Sequence, residues 1–228
     1  MGKGKSPAKT AATRNTFLEK SYELFSSKTI ESVTMAEIAS ESGYRNMTLY
    51  RYFPTKASLV VAVSAWKWDQ LAGEIWKSWE SEGYDDKKSA AVHFGLYLDF
   101  FLTLYRDHRD FLSFNQYFNV YIRSEQIDLN SLGPYQEMIG RMKEHFHDTV
   151  YVKAKEDHTI RTDEPEEKMF SKTMHLMLAV VTRYAVGLLY QPENGFNAIE
   201  ELEFLKNMIL REYRTGVTEN HPNGVKLV

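Results

Sequence analysis

Apolar positions recur at spacings of three and four along most of the chain, and no stretch keeps strict period-two alternation for long, so the pattern predicts helices almost throughout. A first helix is expected from about Arg14 to Ser27, with Phe17, Leu24 and Phe25 inward. Its N-cap is Thr13 or Thr16, the second of which would pair with Glu19 as a capping box. A second helix opens sharply at Thr34-Met35-Ala36-Glu37, a capping-box spacing, and ends before Ser42-Gly43. A short third covers about Arg45 to Tyr52 and stops at Pro54, after which Thr55 caps a long fourth helix to about Glu82. Five more stretches are placed near 86–106, 109–123, 134–156, 165–190 and 197–215, with Pro-, Gly-, Asn- or Asp-rich loops between the last four. The expected fold is all-α with about nine helices: a flexible basic tail over 1–12, a three-helix head over 13–66, a larger helical body over 67–217 and a flexible tail over 218–228.

Composition narrows this picture. Of 228 residues, 43% are hydrophobic and 26% charged, a globular balance, and Gly and Pro together are too few for a turn-punctuated all-β fold. The densest apolar run, Met174 to Tyr190, is interrupted by His175, Thr182 and Arg183, and falls short of the roughly 20 apolar residues of a membrane span. With no apolar segment behind the polar N-terminus, the reading is a soluble cytoplasmic protein that does not enter a membrane. The absence of cysteine removes disulfides, thiolate metal sites and cysteine nucleophiles. The net charge of −3 hides an asymmetry: residues 1–56 hold nine Lys/Arg against five Asp/Glu, the remainder 19 against 26. A basic head on an acidic body points to a polyanion that meets the head alone.

The informative stretch is TMAEIASESGYRNMTLYRYFPTKASL, residues 34–59. Ala39, Gly43 and Leu49 have the offsets of a helix-turn-helix: a small residue for close crossing, a glycine for the left-handed turn, and a leucine that locks the second helix onto the first. At about 100° per residue, Leu49 and Phe53 share the inner face of the third helix while Thr48, Arg51 and Tyr52 point outward or sideways. Asn46 and Met47 stand at its exposed N-terminal end, where recognition helices read bases. Asn bonds adenine bidentately, Arg bonds guanine, and Thr and Met touch thymine methyls. Lys56, in the first turn of the fourth helix, joins its ammonium to unpaired backbone N–H groups as an anion site suited to a DNA phosphate. The basic tail (Lys3, Lys5, Lys9, Arg14) either enters a minor groove or stays a weakly electrostatic, disordered arm.

TLYRYFPTK closely resembles the TLYxYFxxK signature of the TetR family of transcriptional regulators, and Phe17 to Phe25 resembles that family's first helix. The likeness covers about residues 13–65 well and the rest only in helical layout and length. It implies base contacts from Asn46, Met47, Thr48 and Tyr50, phosphate contacts from Tyr52 and Lys56, and either kind from Arg51. Packing alone is the other reading of Tyr50. Two positions depart from the family pattern: Arg45 replaces the usual Ser or Thr N-cap, adding a cation near the DNA backbone, and Met47 replaces a small residue.

In the body, the helix from Met169 to Tyr190 is apolar on most of its circumference, and the last helix carries two apolar stripes: Ile199, Leu202, Leu205 and Ile209 on one, Phe204 and Met208 on the other. That is more apolar face than one core needs, so a four-helix interface across a two-fold axis is expected, as the resemblance also implies. A homodimer would set two heads in successive major grooves roughly 34–36 Å apart, making the partner double-stranded DNA with a pseudo-palindromic operator. Residues 94–121 hold ten aromatics, an unusual density. An effector-binding cavity is therefore expected, lined by His93, Tyr97, Phe101, Phe114, Phe118, Tyr121, Met138, Met142, Met174 and Met177, and suited to a small apolar or aromatic molecule. His93, Asn115, His175 and Arg183 are its candidate polar groups.

Enzymatic readings fail on the sequence. Glu144 and His147 form one Glu-x-x-His, but the second copy that a di-iron bundle needs is missing. There is no nucleophile elbow, P-loop or dinucleotide fingerprint. The expectation is a ligand-responsive regulator, as a repressor, without catalytic residues, metal or cofactor. The alternatives are an architectural DNA-binding protein without effector control and a helical interaction scaffold.

Overall fold

The computed structural model describes residues 7–81, 87–128, 132–187 and 195–215. The head is α1 (Pro7–Ser27), α2 (Met35–Glu41) and α3 (Asn46–Tyr52), with a short 3-10 turn, Ile30–Ser32, ahead of α2. The body is α4 (Lys56–Ser81), α5 (Ala90–Asp107), α6 (Arg109–Ser124), α7 (Gly133–Phe146), α8 (Val152–Asp157), α9 (Glu166–Ala185) and α10 (Ala198–Tyr213). A π-helical segment, His147–Tyr151, joins α7 to α8, so 133–157 is one helical stretch, as the periodicity near 134–156 predicts. Among the described residues the only β pairing is a single bridge between Ile160 and Arg214, and no helix is long and apolar enough to cross a membrane. The all-α architecture is as expected. The expected tail from Thr218 and residues 1–6 lie outside the described residues.

Three boundaries differ: α5 opens at Ala90 and not near 86, α9 ends at Ala185 with Val186 as its C-cap and not near 190, and α1 starts earlier. Helix α1 opens at Pro7, not near Arg14, so the part of the expected tail over 7–12 is helical. Pro7 suits a first helical turn and Ala8, Ala11 and Ala12 are strong helix formers, a propensity that the polar character of this stretch conceals. Neither Thr13 nor Thr16 acts as a cap: each hydroxyl donates back along the helix, to the carbonyls of Lys9 and Ala12. Arg14 lies with its guanidinium 5.4 Å from the Phe53 ring, part of the head and not of a loose arm.

The core is continuous from head to body. Phe17, Phe25, Ile38 and Leu49 are fully buried in the head, and Phe94, Phe101, Phe114 and Phe118 in the body. The joint runs through α1, α4 and α6. Tyr22 donates to Asp110 Oδ2 at 2.7 Å and meets Phe114 edge-on at 5.3 Å, and the Lys67 ammonium lies 4.8 Å from the Tyr22 ring. Burial first, then the Asp110 carboxylate, pushes the Tyr22 phenol above its ordinary pKa, so it remains a donor.

Candidate nucleic-acid interface and ligand sites

The helix-turn-helix is assembled as its sequence dictates. Thr34 caps α2 by accepting the Glu37 N–H at 3.1 Å, while the Glu37 carboxylate takes the Lys28 ammonium at 2.5 Å. Gly43 has φ +74°; its N–H bonds Ser40 O and the Tyr44 N–H bonds Ala39 O, both at 2.9 Å, the paired closure that ends α2. Ala39 and Leu49 are completely buried, so the crossing of α2 and α3 is fixed from inside. Tyr44 buttresses it from α1's side, its ring 5.1 Å from Phe17.

That packing leaves one side of α3 in solvent. Asn46, Met47, Tyr50 and Arg51 are exposed along it, Met47 by 86%. Thr48 is half-buried beside them. Arg45 occupies the N-cap with extended dihedrals and no side-chain cap bond; its carbonyl accepts the Thr48 and Leu49 N–H groups at 2.8 and 3.4 Å. Its guanidinium is not used to close the helix. Tyr52 is half-buried, 5.7 Å from the Phe17 ring, with the Arg51 guanidinium 5.5 Å from its own ring. Lys56 is turned inward: Nζ donates to Glu31 O at 3.1 Å and lies 5.8 Å from the Tyr121 ring on α6. Burial lowers its pKa, with Glu31 and Glu125 opposing. Six of the eight residues expected at the interface therefore lie along the open side or N-terminal end of α3; Tyr52 and Lys56 flank it, partly withdrawn.

The residues expected to line an effector cavity sit in the body interior as packed side chains. Phe101, Phe114, Phe118, Met138 and Met177 are fully buried, His93, Tyr121 and Met142 nearly so, and Tyr97 and Met174 half-buried. Tyr97 is enclosed by Phe94, Phe101, Phe146 and Phe170, with ring centroids 4.9–6.3 Å away, and its hydroxyl is 3.4 Å from Thr173 Oγ1. Burial raises its pKa. A groove of about 420 Å³ opens elsewhere, between α6 and α9, lined by Asn115, Asn119, His175, Leu178, Thr182 and Arg183 among others. Three of these are polar groups that the sequence singles out, but Thr182 is not: a lone threonine in an apolar helix gives no signal until its neighbours are placed. His147, half of the Glu-x-x-His pair, instead engages Glu166 at 3.0 Å.

Large apolar side chains stay exposed toward the end of α9 and along α10. Leu176, Val186, Phe204 and Met208 are all exposed, Phe204 by 65%, whereas Met177, Val181, Leu202 and Ile209 face the core. The expected second stripe of Phe204 and Met208 is therefore present and uncovered in the single chain.

The class that the geometry defines is an all-α protein with a helix-turn-helix head, its α3 facing solvent, carried on a larger helical body. Residues 17–63 match the family described as bacterial regulatory proteins, tetR family, so the head is similar to that family's. No curated protein matches the chain. Solved structures share the fold over nearly the whole length. A Saccharomonospora viridis protein described as a transcriptional regulator, in complex with choline, is 14% identical with a TM-score of 0.65, covering 90% of this chain and 100% of its own. Bacillus subtilis FadR in complex with stearoyl-CoA is 14% identical at 0.61, covering 89% and 98%. A TetR transcriptional regulator from Rhodococcus sp. RHA1 is 18% identical at 0.58, covering 92% and 98%.

Proposed function

We propose that this protein is a cytoplasmic homodimeric repressor that binds a pseudo-palindromic operator through α3 and releases it when the body takes up a small molecule. The observation that carries the reading is the row Asn46, Met47, Tyr50 and Arg51, held in solvent on a helix whose opposite side is locked by Leu49. An apolar Met47 this exposed gains from a partner surface, and a thymine methyl beside an adenine for Asn46 supplies one. Arg45, with no cap bond, and Arg51 add charge for phosphate or guanine. Ligand control is supported by the head-to-body joint: α6 carries Asp110 and Tyr121, which meet Tyr22 and Lys56 of the head and hinge. A ligand that shifts α6 therefore alters head placement and operator affinity without touching DNA. Two proteins of the same fold hold choline and stearoyl-CoA, and a body that accepts a small molecule is in keeping with them.

Selection of binding sites from random duplex DNA at about 150 mM salt, where surface charge is partly screened, tests the reading. The expected result is an inverted repeat with half-site centres about 10–10.5 base pairs apart or a multiple of that. Weak, salt-sensitive binding without an enriched sequence would instead make this an architectural protein.

A further inference from the structure

We propose that Lys9 and Arg14 of α1 contact the phosphate backbone of duplex DNA beside the half-site that α3 meets, so that the DNA surface of the head extends beyond the helix-turn-helix. The inference rests on the proposed DNA binding and adds a second element to it. Successive turns of α1 lead from the body, past α3, into solvent. Tyr22 meets Asp110 and Phe114 of α6. Phe17 lies 5.1 Å from Tyr44, ahead of α3, and 5.7 Å from Tyr52 at its end, and the Thr13 hydroxyl is 3.4 Å from that of Tyr44. Residues 7–12 continue for about 9 Å, at about 1.5 Å per residue, with every side chain exposed. These turns stand at the end of the head remote from the body, next to the turn that leads into Arg45 and Asn46.

Charge identifies the partner. Residues 1–18 hold four Lys/Arg and no Asp/Glu, whereas residues 19–56 hold five of each, so the whole positive excess of the head comes from the chain up to this part of α1. Farther along, cations are neutralised within the head: Lys20 pairs with Glu23 and Lys28 with Glu37. Arg14 instead sets its guanidinium 5.4 Å from the Phe53 ring, beside the end of α3 that carries Arg51. A ring face holds a guanidinium in place without accepting its N–H groups, which leaves donors for phosphate oxygens. Lys9 stands one turn ahead of Thr13 on the same side of α1, and so beside the turn into α3. The two cations bracket α3, one at each end, as contacts that fix register on a duplex do.

The probe is a fluorescent duplex of scrambled sequence, about 40 base pairs long, titrated by anisotropy with the full-length protein between about 50 and 200 mM salt. The double variant Lys9→Gln and Arg14→Gln should lower the slope of log affinity against log salt by about two per bound head, and weaken binding roughly 10-fold at about 150 mM. Lys9→Gln alone, at an exposed position, should remove about one of those two with the melting temperature unchanged. Arg14→Lys keeps the charge and should keep its share of the slope. An unchanged slope in the double variant would overturn the inference, as would a scrambled duplex that the unaltered protein does not bind. Scrambled sequence asks nothing of base recognition, so the two readings fail separately. A lowered slope without any enriched repeat in the site selection removes the operator and leaves the α1 contacts standing, and an enriched repeat with an unchanged slope does the reverse.

Discussion

Lys56 sits where the head joins the body, and its ammonium is engaged on both sides: Glu31 O of the head accepts from it, and the Tyr121 ring of α6 lies beneath it. A phosphate arriving at the first turn of α4 competes with that carbonyl, and a full anion wins over a neutral acceptor. Lys56→Ala should therefore weaken specific and non-specific DNA binding alike and reduce the salt-dependence slope by about one per half-site. An unchanged slope would place Lys56 outside the interface. Asn46→Ala should behave differently, relaxing base preference at one position per half-site by about 1–3 kcal/mol in a repeated selection. A third residue tests the body. His145 stacks on Trp76 at 3.9 Å, and burial lowers its pKa, with His93 adding to the effect and Asp148 opposing it. Burial thus favours the neutral ring in the folded state. Unfolded, it takes up a proton near its ordinary pKa of 6.5, so stability should fall as pH drops through that value. His145→Phe, which keeps the stack, should flatten the fall measured by thermal melts between about pH 7.5 and 5.

At the scale of elements, the second and third helices were legible because their punctuation is chemical. Thr34, Gly43 and Leu49 each do one thing that few residues can do. A Cβ on Gly43 would meet no atom within 4 Å, so its φ of +74° alone calls for glycine. Gly43→Ala should cost about 1–2 kcal/mol of unfolding free energy. Arg45 argues in the other direction. It caps α3 without a side-chain bond, so Arg45→Ser should gain about 0.5–1 kcal/mol while lowering DNA affinity through the lost cation. Denaturant melts and titration with operator DNA read both effects. The start of α1 was not legible, because alanine-rich sequence carries propensity but no periodic apolar face until Phe17. The aromatics of α5 and α6 that the sequence groups together do gather in the body interior, but periodicity cannot distinguish a filled core from a lined space. The α6–α9 groove was hidden for a related reason, since its floor joins residues more than sixty positions apart.

For the whole molecule, the uncovered side of α9 and α10 decides what the protein is in solution. Leu176, Val186, Phe204 and Met208 are side chains that a single chain leaves in water, on the two helices whose other sides hold the core. Large apolar side chains left exposed mark an interaction site, and a two-fold contact would bury them against a second copy. The proposed operator binding would depend on that contact. In the proposed dimer one α3 would read a single half-site, and linking two of them through the bodies would make the second binding event intramolecular. The double substitution Phe204→Glu and Met208→Glu places two charges on the exposed stripe without touching Leu202 or Ile209 inside it. Sedimentation should then show a monomer in place of a dimer, with helical content and melting of the single-chain fold retained. Affinity for a full inverted repeat should fall by about 100-fold or more, while affinity for an isolated half-site stays the same. A variant that remains dimeric with both glutamates would move the interface elsewhere on the body. One that becomes monomeric yet still binds the full repeat as tightly as before would separate dimerisation from operator recognition, and with it the route by which a ligand in the body reaches the DNA.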